Sequence, residues 1–171
     1  LANFYKMQLR GDPLLASDIY ALLGDVLHDS RLADEAYLAY DRSLSYNELN
    51  LFCLNNYAYF LAVEGRELDK AERMSRLTVE VGKVEPTFVD TYAWVLFRLK
   101  RYEEARIYID QALAVLPETA ENASVFDHAG DIYFLCGERS KALEFWKKAL
   151  ALTDDASLRK QLRRKIARRR L

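Results

Sequence analysis

Apolar residues recur three and four positions apart in short runs from about residue 17 to residue 152, the spacing of one face of an α-helix. The intervening positions are filled by Ala, Leu, Glu, Lys and Arg, which favour helix. Brief polar breaks interrupt the runs at Asp29-Ser30-Arg31, Glu64-Gly65-Arg66, Leu99-Lys100-Arg101 and Cys136-Gly137-Glu138. The pattern predicts pairs of helices joined by short turns. With only 6 Gly and 3 Pro, the chain lacks the frequent turn signals that a many-stranded sandwich needs.

Two columns of small residues keep a common period. Gly24, Ala58, Ala93 and Gly130 are spaced 34, 35 and 37 apart, and Ala36, Ala71, Ala105 and Ala142 are spaced 35, 34 and 37 apart. Two independent columns with one spacing indicate an internal repeat, and each period holds two helices. The first column is expected to face the second so that two helix backbones approach closely. Tyr40, Trp146, Leu27 and Tyr133 then fill the space between neighbouring pairs. One pair cannot bury its apolar face alone, so the units must stack.

With Leu-Gly-x-x-hydrophobic on the first helix and Ala, an aromatic and Ala on the second, the period resembles the tetratricopeptide repeat, most closely in the manner of bacterial members. The run Gly130-Asp131-Ile132-Tyr133 through Gly137, Ala142 and Trp146 to Leu150 carries the fullest match. The resemblance implies an all-α fold, a right-handed α-solenoid of stacked antiparallel helix pairs closed by a C-terminal capping helix. Four repeats are expected at 17–50, 51–85, 86–119 and 123–154. Residues 1–13 read as the second helix of a truncated preceding repeat, and 155–171 as a basic capping helix whose stripe of Leu158, Leu162 and Ile166 covers the last pair. Asp154 or Asp155 is expected to cap that helix.

Composition narrows the function classes. The chain has 171 residues with 51% apolar and 30% charged residues, an ordinary globular balance, and only 6 Gly and 3 Pro, which excludes collagen-like and disordered classes. No run of apolar residues is long enough to span a bilayer as a helix. Leu1 stands where Met would begin a reading frame, which suggests a piece of a longer protein and leaves its compartment open. Cys53 and Cys136, two thiols far apart, read as buried packing groups rather than a disulfide framework.

The net charge of −1 conceals an uneven distribution. Residues 159–170 carry eight Lys and Arg and no acid; setting them aside leaves 17 positive against 26 negative charges, a body of −9. The basic tail admits three readings: a solvated cap, binding to nucleic acid or an anionic surface, and self-association with the acidic groove of another molecule. No aromatic residue is interleaved with the tail's charges to stack bases, which argues against nucleic acid.

Motifs for phosphate loops, zinc proteases, redox thiols and serine hydrolases do not occur. Asp25, His28 and Asp29, and likewise Asp127, His128 and Asp131, gather on one helical face each; with no partner from a second helix in view, a solvated polar face is the default expectation. No enzyme activity, cofactor, metal or small-molecule substrate is therefore expected. In tetratricopeptide repeats the first helices line a concave groove, so the resemblance implies partner-binding positions at Asp25, His28, Asn55, Tyr59, Asp90, Trp94, Phe97, Asp127, Asp131 and Phe134. Aromatics there supply rigid contact area, and carboxylates favour a protein or peptide with basic and apolar residues. Asn55 and Asn56 stand among acids and aromatics rather than Lys and Arg, which argues against the family's carboxylate-clamp subtype. The reading is a protein–protein interaction scaffold. The alternative is the regulatory or targeting region of a larger enzyme or envelope-assembly protein.

Overall fold

The computed structural model describes residues 12–82 and 85–168. The expected half-repeat over 1–13 lies, apart from its last two residues, outside the described residues, as do Arg169 and Arg170 of the tail.

Among the described residues the chain is helical throughout. The α-helices are α1 (Pro13–Asp29), α2 (Ala33–Tyr46), α3 (Leu51–Glu64), α4 (Leu68–Val81), α5 (Pro86–Arg98), α6 (Tyr102–Leu113), α7 (Ala123–Leu135), α8 (Arg139–Leu152) and α9 (Ala156–Arg168). A single 3-10 turn, Ala120–Asn122, precedes α7. Starts are marked by caps: Asp12 Oδ1 accepts the Leu15 N–H and Pro13 opens α1, Asn50 Oδ1 accepts the Cys53 N–H, and Asp155 Oδ1 accepts the N–H of Ser157 and of Leu158.

The turns inside the four pairs share one geometry. A residue just past the helix end is left-handed at Arg31 (φ 63°), Gly65 (φ 72°), Lys100 (φ 64°) and Gly137 (φ 86°). The next N–H reaches back to the last turn, from Leu32 to Leu27, Arg66 to Leu61, Arg101 to Leu96 and Glu138 to Tyr133, at 2.9–3.0 Å. This closure satisfies helix-end carbonyls and reverses the chain within a few residues. Glycine takes the left-handed position at no steric cost; Arg31 and Lys100 adopt it against their Cβ.

Helices pack α1 on α2, α3 on α4, α5 on α6 and α7 on α8, and the first helices also touch in sequence, α1 with α3, α3 with α5, α5 with α7. The core divides at α5 into two clusters. Tyr40, Tyr57 and Leu61 centre one; Leu96, Ile109, Ile132, Trp146 and Leu162 centre the other. Leu162 is fully buried there, with Leu158 and Ile166 packed beside it, so α9 closes the last pair. At the opposite end α1 leaves Leu15, Ile19, Leu22 and Val26 exposed.

The small-residue column works differently from the expected backbone approach. A Cβ on Gly24 would lie 2.4 Å from the Tyr40 ring, and one on Gly130 would lie 2.2 Å from the Trp146 indole. Where the first helix carries Ala58 or Ala93 instead, the second-helix residue at the same place in the period is Ser75 or Ile109. Glycine appears where the facing side chain is a large aromatic, and alanine where it is smaller. At the two glycines it is the volume of the facing ring that excludes a Cβ.

Candidate groove on the first helices

The positions singled out in sequence fall on three rows along the first helices: Asp25, Tyr59, Trp94 and Asp131; Asn55, Asp90 and Asp127; His28, Phe97 and Phe134. The structure divides these positions into two groups.

The N-terminal group is polar. Asp25 accepts the Tyr40 hydroxyl at 2.6 Å and the Asn56 amide at 3.0 and 3.1 Å. Asn55 donates to Asn56 Oδ1 at 3.1 Å, while its own buried oxygen has no partner. His28 lies flat on Phe60, centroids 3.5 Å apart, with Nε2 3.3 Å from Glu64.

The C-terminal group is built around His128, buried and stacked on Trp94 at 4.2 Å. Phe97 stacks on Trp94 at 4.8 Å, and Tyr59 sits at 6.1 Å from the imidazole, which completes a four-ring row across α3, α5 and α7. Asp90 holds the imidazole through Nδ1 at 2.9 and 3.1 Å; a carboxylate only accepts, so Nδ1 carries the proton. Trp94 Nε1 is buried without a hydrogen-bond partner. Beyond this row, Asp131 accepts the Trp146 indole N–H at 2.9 Å, and Lys165 of α9 reaches Asp131 at 2.7 and 2.8 Å and Asp127 at 2.7 Å. Phe134 packs against Trp146 at 5.6 Å with Arg139 over its ring.

One expectation is overturned here. Asp127, His128 and Asp131 are buried at 6–8% exposure rather than forming a solvated face. Each has partners on another helix, 15 to 38 residues away, which a reading of one helix at a time does not reveal. Asp90 is equally buried, so the acids of this half are neutralised inside the chain rather than presented as an open strip. His128, Asn56, Phe60, Glu64 and Lys165 belong to the site but were not among the expected partner-binding positions. Their signal was available: 38 residues separate both Asp90 from His128 and Asp127 from Lys165, close to the repeat period.

Residues 91–118 match the family model described as tetratricopeptide repeat. The chain thus carries a tetratricopeptide repeat at 91–118, within a fold shared with tetratricopeptide-repeat solenoids. Among solved structures it is similar to TTC0263, a thermophilic tetratricopeptide-repeat protein of Thermus thermophilus, with a TM-score of 0.77 and 22% identity over 89% of this chain and 82% of that one. It is also similar to PilF of Pseudomonas aeruginosa, with a TM-score of 0.73 and 20% identity over 91% and 70% of the two chains. PilW, a widely conserved type IV pilus biogenesis factor, gives a TM-score of 0.74 at 17% identity over 96% and 74%. At these identities the likeness is one of fold. No curated protein matches the chain in sequence.

Tetratricopeptide-repeat folds are in general interaction scaffolds without catalytic groups of their own. In this repeat protein no described helix is long and apolar enough to cross a membrane, and no three described His, Cys, Asp or Glu residues are placed to hold a metal. The titratable groups of the groove are tuned by burial and by each other. Burial is the largest influence on His128 and favours its neutral form, but the charge and hydrogen bond of Asp90, with Asp127 and Asp131 nearby, outweigh it and raise the imidazole above its ordinary value. Asp131 is also raised, because burial outweighs Lys165. Burial beside Asp90 and Asp127 pushes the Tyr59 phenol up to about 12.

Proposed function

We propose that this protein is a non-catalytic scaffold whose four repeats, 17–50, 51–85, 86–119 and 123–154, act as one binding unit for a segment of a partner protein. The segment lies along the groove of the first helices. The observation that carries this reading is the ring row Phe97–Trp94–His128–Tyr59, with an indole N–H left without a partner at its centre. Aromatic side chains concentrate binding energy at low entropic cost, and an unpaired buried donor gains from an acceptor on a ligand. Phe52, 72% exposed on α3 against Phe88, extends apolar contact beyond the row. Because Asp90, Asp127 and Asp131 already have internal partners, apolar and backbone groups of the segment make the main contacts along the row.

The test uses a partner captured from the native host by the full chain and then bound as a purified protein. Trp94→Ala and Tyr59→Ala are each expected to weaken that binding by about 2 kcal/mol or more, roughly thirtyfold, with helicity retained. Undiminished binding by the double variant would remove the groove from the interface. Collapse of thermal stability in place of binding would make both rings core residues.

A further inference from the structure

A lysine from the chain's own C-terminal helix occupies the far end of the groove. Lys165 Nζ bonds Asp127 and Asp131 together at 2.7–2.8 Å, and the side chains of all three are at most 15% exposed. Trp146 completes the pocket, its N–H on Asp131 and its ring 5.9 Å from the ammonium. Two buried carboxylates with one shared cation form a socket for a primary ammonium group.

The occupant is weakly tethered. α9 ends the described chain, and of its aliphatic side chains only Leu162 is fully buried. Arg159, Lys160, Arg163, Arg164, Lys165 and Arg168 place like charges three and four apart on one helix without an acid among them, which disfavours α9 wherever it is not docked. These like charges make α9 the helix expected to open first. Its sequence describes what the socket selects: a helix with apolar residues at positions one and five, a lysine at eight and an apolar residue at nine, as in Leu158, Leu162, Lys165 and Ile166.

We infer that the Asp127–Asp131 socket is a recognition site for a lysine on a basic amphipathic helix of a partner protein, and that α9 is its intramolecular occupant, displaced when the partner docks. This rests on the groove reading and names the chemistry of the partner at that end. Charge complementarity selects the ammonium, and the aliphatic stripe beside it selects the helix. Occupancy in cis makes the site self-masking, because a foreign helix competes against a tethered one at high effective concentration.

The probe is a synthetic peptide of residues 156–171, against the full chain, the full chain with Lys165→Gln, and a chain ending at Asp155. The peptide is expected to bind the shortened chain and the Lys165→Gln chain at least tenfold more tightly than the intact one. The same peptide with Lys165→Gln is expected to lose at least tenfold on either. In the intact chain, saturating peptide is expected to speed amide exchange within α9 and leave α8 unchanged. Equal affinity for intact and unmasked chains, or indifference to the peptide's lysine, would overturn the inference; the Lys165→Gln chain answers the question should the shortened chain not fold. A concentration-dependent dimer of the intact chain that Lys165→Gln abolishes would assign the socket to a second copy and overturn the foreign helix. Trp94→Ala separates the two readings, since it impairs the ring row and leaves peptide binding at the socket intact.

Discussion

His128 and Asp90, 38 residues apart on α7 and α5, meet at 2.9 Å in a site where both are buried. The pair joins two neighbouring first helices at the point where Trp94 stacks on the imidazole. Charge, hydrogen bond and ring stack thus converge on one side chain, and removing Asp90 leaves a buried imidazole without an acceptor.

Stability is therefore expected to depend on pH through His128. Its folded pKa lies above the unfolded value of about 6.5, so the stabilisation is complete below that pH and is lost as pH rises through the folded value. Urea midpoints measured by circular dichroism from about pH 6 to about pH 8 should fall, and His128→Gln should flatten the profile. Staying below pH ~8 keeps the thiols of Cys53 and Cys136, both pushed up by burial to about 11, out of the comparison.

Gly130→Ala and Gly137→Ala separate two costs of a methyl group. At Gly130 the added carbon collides with the Trp146 indole, displacing it from Asp131, and a loss of about 3 kcal/mol is expected. At Gly137 nothing lies within 4 Å, and the φ of 86° alone costs about 1 kcal/mol. Equal losses in chemical unfolding would mean that the ring moves aside freely.

Arg31→Gly and Lys100→Gly should each raise stability by about 0.5–1 kcal/mol, since both residues hold the left-handed turn against their Cβ. The two turns lie in different pairs, so the double variant should show the sum. A loss of stability in either would show that the long side chain makes contacts worth more than the relieved strain.

Asp155→Ala removes the acceptor for two N–H groups at the start of α9 and should cost about 1 kcal/mol locally. Amide exchange should quicken across α9 and leave α3 and α5 as before.

The repeat was legible because small residues recur at one period, and a solenoid writes its packing into such columns. What the columns mean was less legible. Gly24 and Gly130 look like points of backbone approach until the rings of Tyr40 and Trp146 are seen filling them. At the site, Trp94, Tyr59 and Phe97 stood out as aromatics on a helical face. His128 reads as part of a solvated face and Lys165 as a tail charge, because their partners Asp90, Asp127 and Asp131 lie about one repeat away on other helices. A charge judged by its own helix looks solvated; the neighbouring helix buries it.

The turns of the four pairs and the polar contacts across them have a consequence for synthesis. Among the described residues no side-chain hydrogen bond joins positions more than 38 apart. Each such tie can therefore form once the next repeat has left the ribosome. Such a chain consolidates pair by pair as it is translated, with little need to protect distant segments from one another. Of the described helices α9 emerges last, and its Lys165 then ties Asp127 and Asp131 together.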